Sequence, residues 1–296
     1  MLRIITDSAS DLPKDYIEKH KLHVIPTPVV IDEVDYLDGK TIQTEEFYNI
    51  LDDIKRDVKT YHINPAMFTD AFLPYAKAGD SVIYLCFSTG IAGTFNAANI
   101  AKETLLEEYP EFDLTIIDSK CASIGFGLVV SKLVTMLEHG ASKEELIEAA
   151  DYYITHVHHV FTVHTLAYLI KGGRLTKFKG TLAETLDMKP ILIVDGNGAL
   201  AVIKTVRGRK KSLKYLVEYA KENSSVMEGA TVALCHGEDK ESRDFMLSVI
   251  EQEIHPGEVL VGTVGCAIGA HTGRGLIGFC FFDADDGKYQ RYFESV

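Results

Sequence analysis

The sequence predicts an α/β protein of two domains: an N-terminal, Rossmann-like three-layer domain on a mainly parallel sheet, residues 1–162, and a C-terminal α/β domain on a mixed, largely antiparallel sheet, residues 163–296. Three observations carry this expectation. In the first half, short apolar runs break at small polar turns and pass straight into helical patterns, as strands of a parallel sheet do before their helices. In the second half, Ile191–Asp195 and Leu200–Val206 alternate around Gly196, Asn197 and Gly198, which signals a hairpin. The 296 residues also exceed the ~100–200 of a single domain.

In chain order, Leu2–Ile5 reads as a strand, followed by a polar turn and a helix that starts at Pro13. Asp7, Ser8 and Ser10 are placed to tie that turn together through side-chain to backbone hydrogen bonds. His23–Asp32 reads as one strand, irregular or at an edge because of Pro26 and Pro28. An acidic loop at Asp35–Gly39 precedes a helix over Thr44–Asp53, with Thr44 as cap and Phe47, Ile50, Leu51 and Ile54 as apolar stripe. Thr60, Tyr61, His62 and Ile63 form a loop before the helix Pro65–Ala78, and His62 beside Tyr61 is a candidate ligand contact.

The organising stretch is Val82–Phe87, a buried strand that breaks at Ser88, Thr89 and Gly90 and enters a helix near Gly93–Phe95. The first N–H groups of that helix lack intrahelical partners, and its dipole favours negative charge. Ser88, Thr89, Gly93 and Thr94 are therefore candidates for an anion site. Leu114–Asp118 is a strand, Ser119–Gly127 a turn of small residues, and Leu128–His139 and Ser142–His159 are helices. His156, His158 and His159 look like a metal cluster but fall on different helical faces, so no metal is expected.

Val160–Val163 is a strand and Leu166–Gly172 a helix closed by Gly172 and Gly173. After the hairpin come Arg207, Arg209, Lys210 and Lys211, ahead of the helix Ser212–Asn223. Cations at a helix N-terminus oppose its dipole, which favours a binding role for them. Thr231–Cys235, Glu258–Val264 and Phe279–Phe282 read as strands and Lys240–Glu253 as a helix. Gly265–Gly278 reads as a glycine-rich loop holding His271 and Thr272, a place where an imidazole meets an anion or moves a proton.

A net charge of −13 argues against nucleic acid and against anionic membranes as partners. The five scattered cysteines fit buried free thiols in a reducing compartment. Met1–Thr6 enters a strand with no signal segment ahead of it, and no apolar run is long enough to span a bilayer. A cytoplasmic location is the expectation.

Eight stretches then converge. ITDSASDLP from Ile5, Thr60–Phe68, STGIAGTFNAA from Ser88, IDSKCASIGFG from Ile117, TLAYLIKGGR from Thr165, KPIL from Lys189, VRGRKKSL from Val206 and GAHTGRG from Gly269 resemble, in order and spacing, the DegV family over essentially the whole chain. The resemblance implies a two-domain α/β protein that binds one long-chain fatty acid in a tunnel between its domains, without a cofactor. It further implies a non-catalytic subunit that presents the carboxylate to a separate ATP-dependent fatty acid kinase and carries the acyl phosphate toward phospholipid synthesis. By the same resemblance Thr60, Tyr61, His62, Ser88, Thr89, Gly93, Thr94, His271 and Thr272 surround the carboxylate, and Arg207 and Arg209 dock the kinase.

The chain departs from the family pattern where Thr-Ser-Gln-Pro becomes Thr60, Tyr61, His62 and Ile63, and where Leu-Ser-Gly-Thr becomes Ile91, Ala92, Gly93 and Thr94. The family's second serine is thus Ala92, which leaves Tyr61 and His62 as candidates to supply the missing donor. The competing expectation is an enzyme on a small phosphorylated or carboxylated metabolite, with His271 as acid or base.

Overall fold

The computed structural model describes residues 1–53, 56–175 and 187–294. In chain order the elements are β1 (Leu2–Asp7), α1 (Lys14–His20), β2 (His23–Ile25), β3 (Pro28–Ile31), β4 (Val34–Leu37), α2 (Thr44–Leu51), β5 (Val58–Thr60) and α3 (Pro65–Ala78). They continue with β6 (Ser81–Cys86), α4 (Thr94–Glu108), β7 (Leu114–Asp118), α5 (Ser123–Glu138), α6 (Lys143–His156), β8 (Val157–Thr162) and α7 (Ala167–Lys171). The rest are β9 (Met188–Val194), β10 (Leu200–Arg207), α8 (Arg209–Asn223), β11 (Thr231–His236), α9 (Lys240–Glu253), β12 (Glu258–Thr263), α10 (Cys266–Thr272) and β13 (Ile277–Phe282).

Two large sheets organise these elements. The first, in the order β2-β1-β6-β7, is parallel throughout. The second, β10-β9-β8-β13-β11-β12, is antiparallel except where β11 meets β12. Strand periodicity decides what each face covers. In the first sheet Ile4, Ile83 and Leu85 face the core that holds α5, whereas Ile5, Val82, Tyr84 and Cys86 face α3 and α4. The second sheet turns Phe161, Leu192, Cys235 and Cys280 toward that same α5 core and Val160, Ile191, Leu234 and Phe279 toward α8 and α9. Helix α5 is therefore sandwiched between the sheets, which explains why most of its residues are buried. All five cysteines are free and buried.

A small third sheet, β4-β3-β5, packs with α2 around Val29, Ile31, Phe47 and Tyr48, and α10 joins that cluster through Cys266 and Ala270. This corner corrects several sequence expectations. His23–Asp32 is not one strand: Pro26 and Thr27 carry the chain from β2 in the first sheet to β3 in the third. The expected acidic loop is largely β4, with Asp35 opposite Val30. Thr60 ends a strand opposite Val29 and does not open a loop. Gln43, not Thr44, holds the N-cap position of α2 and makes no side-chain cap. Ile54 lies outside the described residues.

Other corrections concern glycines and strand pairing. Helix α5 starts at Ser123, so Gly125 and Gly127 are helical and belong to no turn. Their lack of a side chain serves close packing: a Cβ would come 2.2 Å from His159 Nε2 at Gly125 and 2.5 Å from the Ser10 carbonyl at Gly127. Helix α6 ends at His156, because Val157–Thr162 pairs with β13 and β9 and sheet hydrogen bonds replace helical ones. His158 and His159 are thus strand residues, and residues 157–162 belong to the second sheet. His156 and His158 both bond Asp283, at 2.7 and 2.8 Å. Gly265–Gly278 contains helix α10, with His271 in its last turn.

Of the expected ties within the first turn, Asp7 makes one by accepting from Ala9 N–H; its bond from Phe87 N–H, and that of Ser8 from Thr27 N–H, reach the ends of other strands instead. The Ser10 hydroxyl has no partner among the described residues.

Candidate functional site

A cavity lies between the two sheets at the ends of β6 and β8. Phe87, Ile91 and Ala92 wall it on one side, and Phe161, Leu200 and Cys280 on the other. Its unfilled space is about 940 Å³ with the mouth included. The size suits a small-molecule site, and the wall is mostly hydrocarbon.

Polar groups gather at one end. Thr60 Oγ1 and His271 Nε2 share a hydrogen bond of 2.6 Å, bringing the end of β5 to the last turn of α10. Arg174 stands beside them, half-buried, its Nη1 donating 2.6 Å to the Gly172 carbonyl. No carboxylate pairs with Arg174 among the described residues. Burial lowers the Arg174 pKa, and burial together with the Arg174 charge pushes His271 down to about 4. The imidazole is therefore neutral at neutral pH, and its Nδ1 has no partner among the described residues. A neutral hydrogen-bonding ring and a guanidinium with no carboxylate partner among the described residues, both partly withdrawn from water, form a receptor for one negative charge.

Helix α4 contributes the opposite wall. Thr94, its first residue, is buried in the wall, and Gly93 ahead of it offers no side chain to cap the first N–H groups. A long helix thus turns an uncapped N-terminus toward the cavity.

The other residues of the expected site divide. His62 sits exposed at the mouth beside Gly93. Tyr61 is also at the mouth, 40 % exposed, and its hydroxyl donates to Asp35 at 3.1 Å. Thr272 is buried in the wall, but its hydroxyl donates back to the Ile268 carbonyl. Ser88 is fully buried: its Oγ donates 2.7 Å to the Gly198 carbonyl of the β9–β10 hairpin and accepts from Gly90 N–H. Thr89 faces away, with both its N–H and its hydroxyl donating to Asp118. Arg207 is exposed at the end of β10. Arg209 is held inward, its guanidinium donating to Asp239, Ser242 and the Gly275 carbonyl.

Helix α10 owes its position to two carboxylates of the N-terminal half. Asp38 accepts from the N–H groups of Cys266 and Ala267 at 2.9 and 3.1 Å, and Asp11 accepts from Gly265 N–H at 2.8 Å. Burial raises the pKa of both acids against these donors. Arg174, Asp11 and Asp38 were not singled out in the sequence. For Arg174 a signal existed: a cation directly after Gly172 and Gly173, at the end of a mostly apolar segment that also holds Lys171.

Comparison with known proteins gives a consistent set of relatives. A family profile described as "Uncharacterised protein, DegV family" matches residues 1–284. A DegV domain-containing protein of Clostridium perfringens is 32 % identical over 94 % of this chain and 96 % of its own length. Among solved structures, a stearic acid-binding protein from Eubacterium ventriosum superposes with a TM-score of 0.85 at 30 % identity, covering 98 % of this chain and 100 % of its own. A DegV family protein from Thermus thermophilus, described by its fatty acid binding, gives 0.85 at 26 % identity over 96 % and 99 %. No described helix is long and apolar enough to cross a membrane.

Proposed function

The chain belongs to the DegV family, and on that premise we propose that it binds a long-chain fatty acid in the cavity between its sheets. The observation that carries this reading is the meeting, in one hydrocarbon-walled space, of a half-buried Arg174 that has no carboxylate partner among the described residues with the Thr60–His271 pair. The acyl chain gains ~0.8 kcal/mol per buried CH₂ along the wall. The carboxylate meets Arg174 and the Thr60–His271 pair, with Thr94 and the uncapped start of α4 facing it. Thr272 helps to shape that end, and His62 and Tyr61 close the mouth where Ala92 supplies no hydroxyl.

In this reading the chain catalyses nothing itself. It presents the carboxylate to a separate ATP-dependent fatty acid kinase and carries the acyl phosphate toward phospholipid synthesis. The exposed Arg207, with Lys210 and Lys211 at the start of α8, supplies the basic docking face, and Arg209 stiffens that corner through Asp239. Native mass spectrometry of the purified protein, followed by solvent extraction, tests the core of the proposal. One fatty acid per chain is expected; protein that emerges empty and takes up no fatty acid of any length overturns it.

A further inference from the structure

Several buried side-chain polar atoms lack a partner among the described residues, and two of them belong to residues of the cavity wall: His271 Nδ1 and His159 Nε2. The carboxylate site accounts for the first. His159 is on β8, opposite Cys280 on β13, and Gly278 on that strand lies opposite both Phe161 and Cys235. His159, Phe161, Cys235, Gly278 and Cys280 all line the cavity, so a chain threaded through it runs past the imidazole.

Two local rules are broken at this point. The ring is 6 % exposed and keeps an unanswered nitrogen, although a leucine or phenylalanine would complete an apolar wall. Helix α5 gives up a side chain to admit it, since a Cβ at Gly125 would come 2.2 Å from His159 Nε2 and 2.9 Å from Cys280 Sγ. Departures from local preference of this kind gather at functional sites. Burial holds the His159 pKa down at about 3, so the ring is a neutral hydrogen-bonding group and no partner for an anion. A neutral imidazole has one donor and one acceptor nitrogen, and a hydroxyl answers either.

We propose that the cavity selects an acyl chain bearing a hydroxyl group along its length, which hydrogen-bonds His159. The inference rests on the fatty-acid reading above and names the substrate class within it. The test measures binding of stearic acid and of a set of eighteen-carbon acids carrying one hydroxyl at successive positions from mid-chain to tail. One or two neighbouring positions are expected to bind about tenfold more tightly than stearic acid. In His159→Phe that preference for the hydroxylated chain over stearic acid disappears, and in His159→Gln part of it returns.

If stearic acid binds but no hydroxylated isomer exceeds it, the selection is absent and only the fatty-acid reading stands. A preference that survives in His159→Phe also overturns the assignment. If no fatty acid binds, both readings fall together. The position scan on the wild-type protein needs no variant, so a misfolded substitution does not decide the matter.

Discussion

Two helix N-termini lie near the cavity, and the protein treats them oppositely. The start of α4 is uncapped, and Thr94 there lines the wall. The start of α10 is doubly capped, by Asp11 on Gly265 and Asp38 on Cys266 and Ala267. The dipole of α10 is thus satisfied within the protein, and what that helix offers a ligand is at its other end, in His271. The dipole of α4 is left for a ligand. A helix N-terminus becomes an anion site only where the protein supplies no anion of its own.

The contrast is broken most strongly by removing the internal anion. Asp38→Ala leaves two buried N–H groups without an acceptor and frees the first turn of α10. A loss of about 4 kcal/mol in unfolding free energy is expected by urea denaturation, from two hydrogen bonds to a charged group. Fatty acid binding should weaken with it, because His271 is then no longer held against Thr60. A loss below about 1 kcal/mol would mean that packing of Cys266 and Ala270 alone positions the helix.

How far this arrangement was legible in the sequence differs between the two helices. The strand, turn and α4 were readable because an apolar run meets Ser88, Thr89 and Gly90 and then an alanine-rich segment. Helix α10 was not, because its glycines pointed to a loop; Gly269 is small so that α10 can approach Phe47 and Tyr48. Gly125 and Gly127 misled in the same way in α5. Sequence shows that a glycine is small, while only the fold shows what presses against it. The hydroxyls of Ser88 and Thr89 were rightly placed near a helix start, but their commitment to Gly198 and Asp118 is a long-range fact that no local pattern carries.

The next effect belongs to the far end of α10. His271 has a folded pKa near 4 against an ordinary value of 6.5. A base with a depressed folded pKa binds fewer protons in the fold, so its contribution is intact above pH 6.5 and is lost as pH falls toward 4. The loss amounts to about 3 kcal/mol. His271→Gln should flatten the fall in urea midpoint between about pH 7 and pH 4.5. A bound carboxylate should raise the His271 pKa, so binding near pH 5 takes up protons, which calorimetry in buffers of different ionisation enthalpy will read. Zero uptake would separate the imidazole from the ligand charge.

Arg174 sharpens the comparison from the ligand's side. Arg174→Met keeps the apolar stem and removes the charge that has no carboxylate partner among the described residues. Fatty acid affinity should drop about tenfold, or ~1.4 kcal/mol. Stability should hold or rise, because a half-buried cation with no carboxylate beside it among the described residues is costly without its ligand. A fall in stability with affinity unchanged would make Arg174 a structural residue tied to Gly172.

The smallest effect tests the claim that nearness to a helix start does not make a donor available. Ser88 is in the turn before α4, yet its hydroxyl holds the β9–β10 hairpin through the Gly198 carbonyl and stiffens the turn through Gly90 N–H. Ser88→Ala should cost about 1 kcal/mol of stability and leave fatty acid affinity within about twofold. Thr94→Val, of nearly equal volume and set in the cavity wall, should reverse that pattern, lowering affinity with little change in stability. The pair isolates the variable that matters, which is whether a hydroxyl already answers a carbonyl of the protein. If Ser88→Ala weakened binding as much as Thr94→Val, the Ser88 hydroxyl would have to leave Gly198 when the ligand enters, and the hairpin would be a moving wall of the cavity.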